Sequence, residues 1–180
     1  EGGRRMRLFT AILPDADTDR ALQALVLRLR EASLRGNFVR PGNLHLTLIF
    51  LGELPSPEPA RAAMRSLAAE PFSLTLEGVG RFGRAEQALW WVGVNASAPL
   101  QVLHAQLRAA LLAQRLDFDD RPYRPHLTLG RQVRLPPDVD PNTLAPKALT
   151  MPVRAVSLMR SDRGPEGLVY TELFRQPLSG

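Results

Sequence analysis

A nine-residue stretch of this 180-residue chain occurs twice, as Arg40-Pro41-Gly42-Asn43-Leu44-His45-Leu46-Thr47-Leu48 and as Arg121-Pro122-Tyr123-Arg124-Pro125-His126-Leu127-Thr128-Leu129, with six of nine positions identical. Each copy ends in a strict polar-apolar alternation, the pattern of a strand whose two faces meet different environments. The leucines can then anchor a core while His and Thr, two residues apart, share the opposite face. A rigid strand places such a polar pair more precisely than a loop does. A chain built around this repeat must form two equivalent strands and bury both leucine faces.

The segments around the repeats agree with that frame. Residues 7–13 read as a first strand, and Pro14-Asp15 punctuates it before a helical pattern of Leu22, Leu25, Val26 and Leu29 that ends near Gly36. Residues 44–51 form the strand of the first repeat, followed by Ser56-Pro57 as the start of a helix running to about residue 69. Residues 72–77 and 88–94 read as a hairpin joined by the glycine-rich segment 78–83. Leu100, Leu103, Leu107 and Leu111 mark a helix over residues 99–116. The second repeat opens a strand at residues 126–131. Residues 135–152 are proline-rich and read as a surface loop, and residues 153–161 and 168–174 as a closing strand pair. This order argues for an α+β fold rather than a doubly wound parallel one.

The length and the 44% hydrophobic content support one domain or two small lobes sharing an interface. Residues 4–180 are taken as a single domain, with Glu1-Gly2-Gly3 as a ragged start outside it. The sequence has no long apolar run and no leader-like segment, so a cytoplasmic protein is expected, and a monomer. The absence of cysteine removes thiolate nucleophiles and cysteine zinc sites, leaving histidine, carboxylate and hydroxyl groups for chemistry. A net charge of +5 favours an anionic partner. Because Lys147 is the only lysine, a general preference for arginine would give the same basic balance.

Two such strands facing each other would bring two imidazoles and two hydroxyls together. Opening a cyclic phosphodiester needs a base for water, an acid for the departing ribose oxygen and donors for the phosphoryl oxygens. His45, His126, Thr47 and Thr128 can fill these roles without a metal or cofactor, and histidine titrates in the useful range. The third histidine, His104, falls on or beside the apolar face of its helix and reads as a packing residue.

At these residues the chain resembles the two-histidine phosphoesterase superfamily, defined by paired His-x-Thr motifs, and within it the bacterial RNA 2′,3′-cyclic phosphodiesterase or 2′-5′ RNA ligase branch. Further similar segments are Arg7-Leu8-Phe9-Thr10-Ala11-Ile12, the run His45 to Gly52, Gly80-Arg81-Phe82-Gly83, Leu89-Trp90-Trp91-Val92-Gly93-Val94 and Pro125 to Arg131. The resemblance implies a bilobal, pseudo-twofold fold with two antiparallel sheets lining a central cleft and helices packed outside. It implies hydrolysis of RNA 2′,3′-cyclic phosphate ends, or of 2′,3′-cyclic nucleotides, to the 2′-phosphate, and reversible ATP-independent 2′-5′ joining. His126 is assigned as base and His45 as acid, with Thr47 and Thr128 as donors to phosphoryl oxygens.

Arg131 matches the family position after the second motif, where a guanidinium meets phosphate or stacks on a base. Five residues after His126, it would point to the wrong face of an ideal strand unless Gly130 ends or bulges that strand. Phe9, Phe50 and Tyr123 are candidates for contact with a nucleobase, as is Phe82. Two other readings remain at this stage: a non-catalytic domain that binds RNA ends, which leaves the histidines unexplained, and a metallohydrolase, for which two histidines and two threonines make a poor ligand set.

Overall fold

A computed structural model of the chain describes residues 4–84, 88–145 and 147–179; the three leading residues set apart above lie outside these. Nine strands and three helices follow in the order β1 (Met6–Ile12), α1 (Ala16–Ala32), β2 (Arg35–Phe38), β3 (Leu46–Leu54), α2 (Glu58–Arg65), β4 (Phe72–Phe82), β5 (Leu89–Val94), α3 (Ala98–Ala113), β6 (His126–Arg134), β7 (Leu149–Val153), β8 (Ala155–Gly164) and β9 (Gly167–Pro177). No helix among the described residues is long and apolar enough to cross a membrane.

Every strand pairing among the described residues is antiparallel, and the sheet runs β7-β4-β5-β6-β3-β1-β8-β9, with β2 lying against β6. This order is symmetric about its middle. The two repeats supply the central strands β3 and β6, each followed outward by three more. The two sheets expected from the resemblance are therefore halves of one sheet, joined where Leu46 pairs with Leu127.

The alternation of the repeats decides which face is covered. Leu46, Leu48, Leu127 and Leu129 are at most 3% exposed and share one core with Leu22, Leu25 and Leu29 of α1, Met64 of α2 and Leu100, Leu103, Leu107 and Leu111 of α3. Each such side chain contributes about 1.5–3 kcal/mol when fully buried. The helices cover the leucine face, and the His-Thr face is left open. Ser97 caps α3 by accepting from the Leu100 amide at 3.2 Å, with Pro99 in the first turn.

Several boundaries differ from those expected. The glycine segment 78–83 is not a turn but continues β4 to Phe82, with Gly80 letting the Trp91 ring lie against the backbone where a Cβ would clash. The expected loop 135–152 contains a short 3₁₀ turn, Pro141–Thr143, and ends in β7, whose five residues pair with β4. β2 carries only Arg35-Gly36-Asn37-Phe38, too short and polar to show a period. α2 is shorter than expected, ending at Arg65, where the Ser66 hydroxyl bonds the Ala63 carbonyl.

Candidate active site

His45 lies immediately before β3 and His126 opens β6, one residue ahead of the single pair joining the two strands. Continuing that antiparallel register sets His45 across from Thr128 and Thr47 across from His126. The two His-x-Thr pairs are thus brought side by side on one face of the sheet.

Both rings are oriented by the same local bond. His45 Nδ1 lies 2.8 Å from the Asn43 carbonyl, and His126 Nδ1 lies 2.6 Å from the Arg124 carbonyl, each two residues upstream. A carbonyl only accepts, so Nδ1 must carry the proton in both rings. The neutral tautomer is thereby fixed, and Nε2 is left to gain and lose protons. In His45 that atom is 2.9 Å from Thr47 Oγ1.

Burial lowers the pKa of both histidines, and the upstream carbonyls partly oppose the effect. The Arg131 guanidinium lowers both further, Arg124 adds to the effect at His126, and the His126 charge is felt by His45. The two imidazoles and Arg131 therefore form one electrostatic unit on the open face.

Arg131 reaches this face through a bulge. In β6, Thr128 pairs with Trp91 and Gly130 with Trp90, leaving Leu129 as the extra residue and reversing the side-chain alternation after it. Gly130 is consequently buried and Arg131 exposed. The first motif does the same: Thr47 pairs with Ala11 and Ile49 with Thr10, so Leu48 is extra, and Phe50 takes the position equivalent to Arg131. The expected difficulty with Arg131 is resolved at Leu129, one residue before the glycine.

Of the aromatic candidates, Phe50 is 43% exposed and remains accessible. Phe9 is a correction. At 1% exposure it cannot stack on a base, and its ring instead supports His45 at a centroid distance of 4.9 Å. Tyr123 is half-buried: its ring lies flat on His104, 4.0 Å away at 7°, and its hydroxyl donates to the Thr47 carbonyl at 2.8 Å. His104 is a packing residue, as expected, with a ring nitrogen turned to the Leu48 carbonyl.

Two further aromatic rings adjoin the histidines, and one of them, Tyr170, has no signal in the sequence. Tyr170 of β9 meets His45 edge-on at 5.2 Å, and Trp91 lies 6.5 Å from His126, which Phe82 also meets edge-on at 5.0 Å. Tyr170 sits 125 positions beyond its histidine and carries no motif. The tie that brings its hairpin inward is equally invisible: Asn43 Nδ2 donates to the Leu168 carbonyl at 2.9 Å, and Arg40 holds Glu166. Among the described residues, no three histidines, cysteines or carboxylates converge as a metal site.

Comparison with known proteins decides the family. The model of the 2′-5′ RNA ligase superfamily matches residues 15–165. The chain belongs to this superfamily. A Thermus thermophilus protein named RNA 2′,3′-cyclic phosphodiesterase is 34% identical over 97% of this chain and 91% of its own length. An Archaeoglobus fulgidus protein of the same name is 31% identical over 93% and 98%. Among solved structures, Escherichia coli LigT complexed with 3′-AMP superposes with a TM-score of 0.79 at 27% identity, covering 98% of this chain and 99% of LigT. The shared superfamily fold thus contains both His-x-Thr strands described above.

Proposed function

We propose that the protein is an RNA 2′,3′-cyclic phosphodiesterase, hydrolysing 2′,3′-cyclic phosphate ends to 2′-phosphates by metal-independent acid-base catalysis. The observation that carries this reading is the pair of imidazoles with the same fixed tautomer, each presenting Nε2 on the face that Arg131 shares. Proteins of the superfamily that bear this name, similar over nearly the whole chain, support the same reaction.

In the proposed reaction His126 Nε2 takes a proton from water as the oxygen attacks phosphorus. The bond to the ribose 3′-oxygen breaks, and protonated His45 gives its Nε2 proton to that oxygen, leaving the phosphate on the 2′-oxygen. Thr47 and Thr128 donate to the phosphoryl oxygens, and Arg131 holds the anion, where charge-assisted bonds are about twice as strong as neutral ones. Anion binding raises the histidine pKa values that burial lowers, so the substrate itself helps to protonate the acid. A 5′-hydroxyl held in place of the attacking water follows the same steps in the same direction: His126 takes its proton, His45 protonates the released 3′-oxygen, and a 2′-5′ linkage forms without ATP.

The test is product analysis with an RNA oligonucleotide ending in a 2′,3′-cyclic phosphate. The expected product carries a 2′-phosphate and forms at the same rate after exhaustive treatment with EDTA. A non-catalytic RNA binder gives no product. Loss of turnover after chelation, restored by one divalent ion, removes the metal-independent mechanism.

A further inference from the structure

The open face continues beyond His45 into groups that the reaction above does not use. Arg7 pairs with Ser161 across β1 and β8, and Ser161 pairs with Tyr170 across β8 and β9. Cross-strand partners share a face, and neighbouring strands lie about 4.8 Å apart, so these side chains form one continuous row. The parallel row nearer the centre contains Phe9, the ring that supports His45. Tyr170 packs edge-on against both rings, at 5.1 Å from Phe9 and 5.2 Å from His45. The row therefore begins where the reacting centre ends.

Its chemistry suits an anion. Among the described residues, the Arg7 guanidinium forms no ion pair, and the Ser161 and Tyr170 hydroxyls have no hydrogen-bond partner. Burial raises the Tyr170 pKa, which keeps the phenol protonated as a donor, while Arg131 and Arg7 both act on it electrostatically. Arg7 turns over the Phe50 ring, 5.3 Å from its centroid, rather than toward its exposed cross-strand neighbour Glu53. On the hairpin, Glu172 is already held by Ser157 at 2.6 Å and Arg175 at 3.0 Å, and Asp162 by Arg160 at 3.1 Å. Phe50 lies nearly parallel to Phe9, at 14° and 5.7 Å, and is 43% exposed.

We propose that Arg7, Ser161 and Tyr170 form a second phosphate subsite, which takes the internucleotide phosphodiester immediately upstream of the cyclic end, with Phe50 as the platform for the preceding base. The inference rests on the proposed cyclic phosphodiesterase reaction. It assigns Arg131 and Arg7 to successive phosphates of one RNA end, on either side of Tyr170. An aromatic platform suits this place because stacking accepts any base. A 5′-phosphate on a cyclic mononucleotide stands at the same position, with at least as much negative charge, and engages the same groups.

Three substrates separate the subsite from the reaction: adenosine 2′,3′-cyclic phosphate with a free 5′-hydroxyl, its 5′-phosphorylated form, and a dinucleotide with a cyclic phosphate end. The wild-type protein is expected to favour the last two, mainly through KM. Arg7→Ala is expected to raise KM for those two about tenfold, as loss of a charge-assisted contact does, and to leave the first substrate unchanged. It also lowers the salt slope of dinucleotide binding by about 0.7, the value for one single-strand phosphate. Tyr170→Phe narrows the preference by a smaller factor, and Glu53→Gln widens it. Equal treatment of the three substrates by the wild-type protein, or an Arg7→Ala effect of the same size on all three, overturns the subsite. Failure of the wild-type protein to hydrolyse any of them overturns the reaction on which it rests.

Discussion

The two halves of the molecule build the same motif but hold it differently. Both put a buried-leucine strand under the histidine, fix Nδ1 on the carbonyl two residues upstream and bulge at the second leucine. Beyond Leu46 and Leu127, however, the central strands part, and each needs something else along its freed edge. For β6 that is backbone: β2 lies alongside, and the Val39 amide donates to the Leu129 carbonyl at 2.9 Å. For β3 it is side chains: Tyr123 bonds the Thr47 carbonyl and His104 faces the Leu48 carbonyl. The repeated residues specify the local geometry, whereas the support for that geometry is supplied separately in each half.

If the halves act as one catalytic unit, the largest effects come from the histidines. His45→Ala or His126→Ala is expected to lose about 10²–10⁴ in kcat, the usual worth of a positioned acid or base. The double variant is expected to be little worse than either, because both transfers belong to one transition state. Thr47→Ala and Thr128→Ala cost less, about 10–10³, since other donors to the phosphoryl oxygens remain. Steady-state kinetics on folded variants check this series. Near wild-type turnover from either histidine variant sinks the paired mechanism.

The pH dependence sharpens the comparison because both histidines are shifted in the same direction. Burial and the Arg131 charge place both below the ordinary value of about 6.5. Activity of the free enzyme falls as pH drops through the base's pKa, and falls again as pH rises through the acid's. The kcat/KM profile is thus expected to be a bell centred on the acid side of about 6.5. The kcat profile lies higher in pH, since the bound anion favours protonated imidazole. Arg131→Gln removes positive potential from both rings and is expected to move the kcat/KM bell upward while raising KM. A bell that stays in place would show that Arg131 does not act on the pair.

Much of this site was legible in the sequence because its decisive residues repeat. His45, Thr47, His126 and Thr128 stand in a period-two pattern, and their leucine partners announce the buried face. Arg131 was legible only as a family position, since strand parity alone turns it away. The bulge that admits it is a property of pairing with β5, which one strand's sequence does not encode. Phe9 is not the base contact its place suggested, because an aromatic beside a motif looks the same whether it supports the histidine strand or meets a ligand. Tyr170 was not seen, since only the tie from Asn43 and Arg40 to the hairpin brings it to His45. β2 and β7, at four and five residues, were too short to show a period.

The smallest expected effect is the one that bears most directly on the different supports. Tyr123→Phe keeps the ring stacked on His104 and removes only the hydroxyl that holds the Thr47 carbonyl. A hydrogen bond of this kind contributes about 0.5–1.5 kcal/mol to stability. Stability is therefore expected to fall slightly, while kcat falls about threefold, within what such a bond can contribute, as Thr47 loses its fixed position. KM changes little, because Arg131 still holds the anion. His104→Ala takes away the plate under Tyr123 and is expected to have a similarly small effect on turnover. The second half offers the matching variant in Val39→Pro, which deletes the amide that bonds Leu129. Because it also disturbs β2, it is expected to cost more stability than Tyr123→Phe. Thermal unfolding of the two variants beside their kinetics tests the contrast, and a Tyr123→Phe protein with unchanged kcat would show that β3 holds Thr47 without its side-chain support.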